Sequence, residues 1–529
     1  MTSSPRFVQA AVAAPHTLAT QTGRDILVQG GSALEAMVGM AGTMAVVYPH
    51  MNGIGGDGFW LVREPGGKIH YIEACGYAGR LATVERYTKL GYDTVPVRGP
   101  EAAITVPGAV AGWELALEMA YAFGGRLPLR EILQPAVKFA REGYLQSRSE
   151  ARGRSREFEA LSAAPGFADS YLLEGKSPPE GTLRTAGKLG ETLERLAHGG
   201  LRDFYRGDVS REMAVDFDKL RLPLVRADLE KYRALLRQPL KLRIGGATCF
   251  NAPPPTQGLA SLLLLGIFDR LGVKKRDGFD HIHGLAEATK RAFLIRDQVC
   301  TDHNWLDDDP ASFLTGNIPA REAAEISMRR AAPWLGTPSD GEAVWMGAID
   351  SKGLAVSYIQ SLGSDYGSGC VLPRTGVLLQ NRGASFSLDP RARNPLAPGR
   401  RPPHTLSPAL AVYDDGRVLS YGSMGGDGQP QFQAQVLTRW ERGVGLAEAI
   451  DAPRFMLGRK WGEADTALCF EDRFDPSLLR DLEKVGHRVE VAAVPYSEDF
   501  GHAGALVRYR DGTIEAAHDP RSDGGADGL

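Results

Sequence analysis

Cysteine is scarce: five residues in 529, at Cys75, Cys249, Cys300, Cys370 and Cys469. The number is odd and no pair has metal-ligand spacing, which argues against a disulfide framework and fits reduced thiols in a cytosolic protein. A surplus of either charge is also missing. The 61 basic and 64 acidic residues leave a net charge of -3, so nucleic acid meets none of the basic surplus that usually marks its partners. No window approaches the roughly 20 apolar residues needed to span a bilayer, and no membrane partner is expected. Residues Met1 to Thr20 lack the charged start and apolar run of a secretory signal, so the expectation is a cytoplasmic protein. Internal repeats and long low-complexity tracts are absent too. What remains is ordinary globular composition, 43% hydrophobic and 24% charged.

The chain changes character along its length. Ser32 to Val47 is Ala-rich and amphipathic and predicts a helix. It runs into Met51-Asn52-Gly53-Ile54-Gly55-Gly56-Asp57-Gly58-Phe59, a Gly-rich turn feeding a strand. A phosphate-cradling loop needs strand, loop and helix in that order with Lys-Ser/Thr behind it; here a tight turn with close backbone packing is expected instead. Residues 99–317 read mostly as helices, with helical spacing at Pro128–Glu142, Ala186–His198, Leu259–Leu271 and Phe279–Asp297. His281, His283 and Glu287 lie on the last of these. Residues two apart point to different helix faces, so packing or surface positions are expected rather than a metal site. Asp302, Asp307, Asp308 and Asp309 lack the alternation and central Gly of an EF-hand loop and predict a solvated loop.

Gly336 to Glu342 is small, polar and turn-rich, an exposed flexible connector. Strand signals then take over. Val344–Ile349, a turn at Asp350-Ser351-Lys352-Gly353 and Leu354–Gln360 predict a hairpin. Further short strands are expected at Gly376–Leu379, Ala409–Tyr413 and Val418–Tyr421, and helices at Phe432–Arg442 and Pro476–Val485. The tail, His518–Leu529, is Gly/Asp-rich and expected to be ordered only by packing. A helical first part and a strand-rich second part suit a layered α+β architecture.

The segment from Gly341 to Gly369 resembles the processing site of the γ-glutamyltranspeptidase family. There a flexible linker ends at a Thr that opens the small subunit; a turn Asp follows seven residues later and a supporting hydroxyl eighteen later. Here the turn Asp is Asp350 and the hydroxyl is Ser361, which places the nucleophile at position 343, and that residue is Ala343. The family's Gly-Ser/Thr-Gly element stands as Gly367-Ser368-Gly369, followed by Leu372-Pro373-Arg374-Thr375-Gly376-Val377-Leu378-Leu379-Gln380-Asn381. Its Ser-Ser segment and Gly-Gly turn match Arg401-Pro402-Pro403-His404-Thr405 and Gly422-Ser423-Met424-Gly425-Gly426. Likeness extends to Gly53–Phe59 and to Asp519-Pro520-Arg521-Ser522-Asp523-Gly524, and so covers nearly the whole chain.

The resemblance implies an N-terminal-nucleophile hydrolase, a four-layer αββα sandwich made from one precursor. Residues 1–342 and 343–529 would be its large and small subunits. In this class a Thr hydroxyl cuts the chain before itself, and the freed α-amino group then serves as its general base. Ala343 has no hydroxyl, so the chain as written should stay uncut and inactive. An engineered trap of the precursor is favoured, because the surrounding machinery is intact; a naturally inactive relative is the alternative. Ser361 would orient the nucleophile, and Gly425 and Gly426 would aim N–H groups at the oxyanion. No cofactor and no metal is implied, and a homo-oligomer is left open.

Departures from the family pattern bear on substrate. Cys75 stands where γ-glutamyl enzymes carry an Arg for the substrate α-carboxylate, within Ile72-Glu73-Ala74-Cys75-Gly76. Their acidic residues for the α-amino group are replaced by Arg382-Gly383-Ala384-Ser385 after Asn381, and the tandem-Ser position holds His404 and Thr405. A cation at Arg382 near a polar His404 suits a small carboxylate-bearing amide, since Arg pairs bidentately with carboxylates. Asn381, Arg382, His404 and Thr405 would shape that pocket, with Cys75 nearby. Among relatives with this pattern the chain is similar to those that split oxamate to oxalate and ammonia; γ-glutamyl or side-chain acylase activity and a non-catalytic binding role are the alternatives.

Overall fold

The computed structural model describes residues 3–153, 157–334, 336, 339, 341–458 and 466–529. Residues 337, 338 and 340 of the expected connector lie outside the described residues. Two seven-stranded antiparallel sheets form the centre. The first runs in the order Gly525–Gly528, Ala11–Ala14, Glu342–Ile349, Ala355–Gly363, Asp57–Arg63, Ile69–Ala74 and Leu235–Arg237. The second runs Arg6–Phe7, Ile514–His518, Ala503–Arg508, Val418–Ser423, Ala409–Tyr413, Ala247–Asn251 and Leu240–Ile244.

Helices cover both outer faces. Ala33–Val47 lies on the first sheet, with Thr17–Val28, Ala109–Ala122 and Leu129–Glu142 around it. Every residue of Ala33–Val47 is buried, because helices flank it and the sheet lies beneath. Ser32 caps its start with a capping box, Ser32 Oγ accepting from Glu35 N at 3.3 Å while Glu35 takes the Ser32 N–H at 2.7 Å. Gly258–Arg270 and Gly428–Glu441 cover the second sheet, and Phe279–Val299 packs on those helices. The result is the expected αββα sandwich. Each of its many buried Leu, Ile, Val and Met side chains contributes roughly 1.5–3 kcal/mol of apolar transfer.

The strand Glu342–Ile349 sits in the middle of the first sheet, paired with Ala355–Gly363 on one side and Ala11–Ala14 on the other. The predicted hairpin thus exists, with Gly353 at φ 80° in its turn. Asp350 fixes it: its Oδ1 accepts from Lys352 N and Leu354 N, and its Oδ2 from Ala33 N at the start of the buried helix. Trp345 crosses to the second sheet, donating through Nε1 to Ser357 Oγ, which itself donates to the Tyr421 carbonyl. Gly422 and Gly504 face the indole, and a Cβ on them would fall 2.2 and 2.4 Å from its ring atoms. Glycine in a strand interior here marks a close approach.

Four expectations need correction. Gly376–Leu379 forms no strand, only single bridges at Leu378 and Leu379, because this segment folds back on Cys370–Leu372 as a loop. The predominantly helical middle contains the hairpin Leu240–Ile244 and Ala247–Asn251, which extends the second sheet. Its alternate exposed residues, such as Lys241 and Arg243, break the helical reading. Asp302 is buried rather than solvated, held by Arg401, while Asp307, Asp308 and Asp309 are exposed as expected. The tail is more ordered than its composition implies, since Gly525–Gly528 pairs with Ala11–Ala14.

Candidate active site

Position 343 opens the central strand, and the Ala343 side chain is fully buried. The strand pairing breaks register between Glu342 and Val344, so the peptide joining 342 to 343 sits in an irregularity instead of a regular ladder. The Ser361 hydroxyl, on the neighbouring strand, donates to the Glu342 carbonyl oxygen at 2.5 Å. That carbonyl is the acyl group of the 342–343 bond. Ser361 Oγ in turn accepts from Gly363 N at 2.9 Å and from Arg382 Nη2 at 3.2 Å. A donor chain therefore runs from a guanidinium through a hydroxyl to the carbonyl, and a charged donor makes the final hydrogen bond stronger.

Arg382 is buried, and its other contact is Thr405 Oγ1 at 3.5 Å. Among the described residues no carboxylate pairs with it. Burial pulls the guanidinium pKa down to about 10, while Asp57 and Cys75 hold it up. It remains a cation at neutral pH, in the wall of an open cleft of about 720 Å³. A buried cation without an ion-pair partner is costly, and a bound anion would remove that cost.

Behind Arg382 lie Asp57 and His404, both fully buried. Asp57 Oδ1 accepts from Gln380 Nε2 at 3.0 Å and from the backbone N–H groups of Gly76 and Gly108 at 3.1 Å. Burial pushes the Asp57 carboxyl up to about 7 despite these donors. His404 Nε2 is 3.7 Å from Asp57 Oδ2, beyond hydrogen-bond reach. Among the described residues neither His404 nitrogen nor Asp57 Oδ2 has a hydrogen-bond partner. Burial, then Arg382 and Arg401, hold the imidazole pKa well below its usual value, so His404 is neutral. It packs edge-on against Phe59, ring centroids 5.0 Å apart.

Thr405 lines the same cleft. Asn381 also reaches it, but its amide is spent on the loop 364–367 and on Val97: Oδ1 accepts from Ser364 N, and Nδ2 donates to Val97 O and Ser364 Oγ. Cys75 is buried within electrostatic reach of Glu73, Arg401 and Asp57, and burial followed by Glu73 pushes its thiol pKa far up. It is thus a neutral side chain at the back of the site. Gly425 and Gly426 both have positive φ, 118° and 53°, a conformation glycine supplies at low cost. Gly426 lies beside the linker, since a Cβ on Gly341 would be 3.7 Å from Gly426 Cα and 3.2 Å from Thr405 Oγ1.

The structure brings Ser361, Arg382, Thr405 and Gly426 around the residues just before 343. Asp57, Gln380, Gln257, Arg296 and Asp427 were not singled out from sequence. Asp57 and Asp427 each sit inside a Gly-rich turn, and an acid in such a turn was the available signal. His283, by contrast, bonds His487 at 2.8 Å and the Ser327 carbonyl, and Glu287 is taken by Lys290 and Ala332 N. The ligand atoms of His283, Glu287 and His487 lie within 4.8 Å of one another, a buried group that could hold a metal ion and that the spacing of His281 and His283 did not reveal.

A sandwich of this kind, with a strand-opening position held against a hydroxyl on the next strand, defines an N-terminal-nucleophile hydrolase fold, and this one belongs to an amide-hydrolysing enzyme. The chain belongs to the γ-glutamyltranspeptidase family, whose model matches residues 19–529. It is 47% identical over 518 residues to the oxamate amidohydrolase proenzyme of Klebsiella pneumoniae subsp. pneumoniae, covering 98% of both chains. It is 35% identical to the glutathione hydrolase-like YwrD proenzyme of Bacillus subtilis, again over 98% of each. The structure of a cephalosporin acylase from Bacillus halodurans superposes with a TM-score of 0.91 at 30% identity, over 100% of this chain and 97% of that one.

Proposed function

We propose that this chain is the uncut form of a self-processing amidohydrolase for a small carboxylate-bearing amide, most favourably oxamate. Residues 1–342 and 343–529 are the large and small subunits of its processed state. The observation that carries this reading is Arg382, a buried cation with no carboxylate partner among the described residues, standing directly behind the Ser361 hydroxyl.

In the first reaction a Thr hydroxyl at position 343 adds to the Glu342 carbonyl. The oxygen of that carbonyl becomes an oxyanion already held by Ser361 Oγ–H, with Arg382 behind it. The hydroxyl proton passes to the departing nitrogen as the C–N bond breaks, leaving an ester on the Thr oxygen and a free α-amino group. Water then hydrolyses the ester and separates the subunits. In turnover the α-amino group takes the hydroxyl proton, the hydroxyl attacks the substrate amide, and ammonia leaves with the proton. Water releases the acid. Arg382 pairs with the substrate carboxylate, and Gly425 and Gly426 present the turn whose N–H groups face the oxyanion. The relative that hydrolyses oxamate at 47% identity supports the substrate, as does Cys75, which cannot perform the carboxylate-binding role of an Arg. With Ala343 in place neither reaction starts.

Intact mass of purified Ala343→Thr protein, with ammonia release from oxamate followed in parallel, tests this. Two fragments divided at 342/343 together with ammonia are expected. Cleavage without ammonia, or faster turnover of glutathione or a β-lactam amide, would remove oxamate as the substrate. An uncut, inactive chain would overturn the processing mechanism.

A further inference from the structure

The connector before the 342–343 bond is not simply tethered by the strand that follows it. Ser339, four residues ahead of Ala343, donates its backbone N–H to Asp427 Oδ2 at 2.9 Å, and its carbonyl accepts from Asp427 N at 2.9 Å. The Ser339 side chain takes no part in either bond. The Asp427 carboxylate is oriented from behind. Its Oδ1 accepts from Arg296 Nη1 at 2.8 Å, and the same nitrogen donates to Gln257 Oε1 at 2.9 Å. Gln257 Nε2 then donates to the carbonyls of Thr405 and Gly426, each at 2.8 Å.

All three side chains are buried, Asp427 to 4% exposure, Arg296 to 8% and Gln257 to 2%. Burial pushes the Asp427 carboxyl pKa up, and the adjacent Arg296 opposes that shift. A structural ion pair alone would account for Oδ1. It leaves unexplained why Oδ2 and the Asp427 N–H together form a two-bond bridge to the backbone of the connector. Two residues on, Gly341 passes close to Thr405 Oγ1 and the Gly363 carbonyl, where a Cβ would stand 3.2 and 3.4 Å away. The connector is thus fixed at 339, narrowed at 341 and delivered at 342 to Ser361.

We propose that Asp427 is a positioning residue of self-cleavage: with Arg296 and Gln257 it clamps the backbone at Ser339 and so sets the Glu342 carbonyl against Ser361. This rests on the self-processing reading above. A freely moving connector would present the carbonyl only transiently, and holding the reacting groups in place is what makes an intramolecular attack fast. The clamp has work to do only in the uncut chain, since cutting at 342/343 frees the far end of the connector from the strand.

The test uses full-length chains carrying Ala343→Thr. Ser339→Ala keeps both backbone groups and should be cut at the parent rate. Ser339→Pro loses the N–H and should be cut about tenfold more slowly, the loss expected for one hydrogen bond to a charged group. Asp427→Ala should slow cutting further. Once cut, Ser339→Pro should turn over oxamate like the parent, because Ser339 then lies on a released tail. Equal cutting rates for Ser339→Pro and Ser339→Ala would overturn the clamp, as would a Ser339→Pro defect equally large in turnover. Hydrogen exchange on the uncut Ala343 chain reads the contact independently of cutting. The Ser339 amide should be protected, and Asp427→Ala should remove that protection. An unprotected amide in the starting chain would overturn the clamp and leave the processing reading standing. Protection present but no cutting in Ala343→Thr would overturn both the processing reading and the positioning role.

Discussion

Arg382 shows how one side chain is set two tasks by its surroundings. Its Nη2 backs the Ser361 hydroxyl and its Nη1 touches Thr405, so it can polarise the carbonyl donor in the uncut chain and hold a carboxylate in the cut one. These tasks separate experimentally. In the Ala343→Thr background, Arg382→Gln should slow cutting modestly, since Ser361 and Gly363 remain. It should lower kcat/KM for oxamate by about 10- to 100-fold, through the lost charge-assisted pairing with substrate. Steady-state kinetics on the cut fraction checks this; an unchanged kcat/KM would remove Arg382 from the carboxylate site. The sequence pointed to Arg382 because a base stands where relatives carry acids. It could not show that Asp57 and His404, 347 positions apart, meet behind it. The sheet puts Asp57 opposite Ser361, and a bridge between His404 and Thr256 holds the imidazole's backbone beside it.

At the scale of elements, the hairpin that carries positions 343 and 361 was legible because its apolar runs, its turn and its spacing agree. The adjacent pairings were not. Ala11–Ala14 is a short Ala/Val run that becomes a strand only because Glu342–Ile349 lies on one side of it and Gly525–Gly528 on the other. The contact between sheets is equally tertiary: Gly422 is small because the Trp345 indole crosses to meet it, a ring held by Ser357. Gly422→Ala would push a methyl to 2.2 Å from the ring, and overpacking of this kind costs about 1–3 kcal/mol. Urea denaturation of the Ala343 chain should show that loss. A midpoint unchanged from the parent would mean the indole has room to move aside.

Over the whole molecule, buried imidazoles dominate the response to acid. Burial pulls His16 and His518 to about 4, and His281, His487 and His502 to about 3. Unfolding frees each to bind a proton near pH 6.5, so between pH 6.5 and about 4 the unfolded chain takes up more protons and stability falls as pH falls. Asp57 and Glu498, both raised to about 7 by burial, act in the opposite direction: their contribution is present below about pH 4 and lost as pH rises to 7. With His404 also held well below its usual value, six imidazoles outweigh Asp57, Glu498 and the smaller upward shifts of Asp216, Asp350, Asp427 and Glu441, so Tm should drop from pH 6.5 to 4. Differential scanning calorimetry across that range checks the sign, and a flat or rising Tm on acidification would contradict it.

The sequence by itself determined the local features. Apolar runs and turn residues placed a hairpin around Asp350, the family resemblance put position 343 before it and Ser361 after it, and adjacent glycines marked the turn at Gly425 and Gly426. These are properties of short stretches, where periodicity, turn chemistry and motif spacing act directly on the backbone. Only the tertiary structure decided what each site group faces. The Ser361 hydroxyl points at the Glu342 carbonyl, Arg382 is buried with no carboxylate pairing it among the described residues, and Asp427 grips Ser339 across 88 positions. Hydrogen bonds and burial depend on which strands become neighbours, and pairing between distant segments follows from packing the whole sandwich rather than from any one stretch of chain.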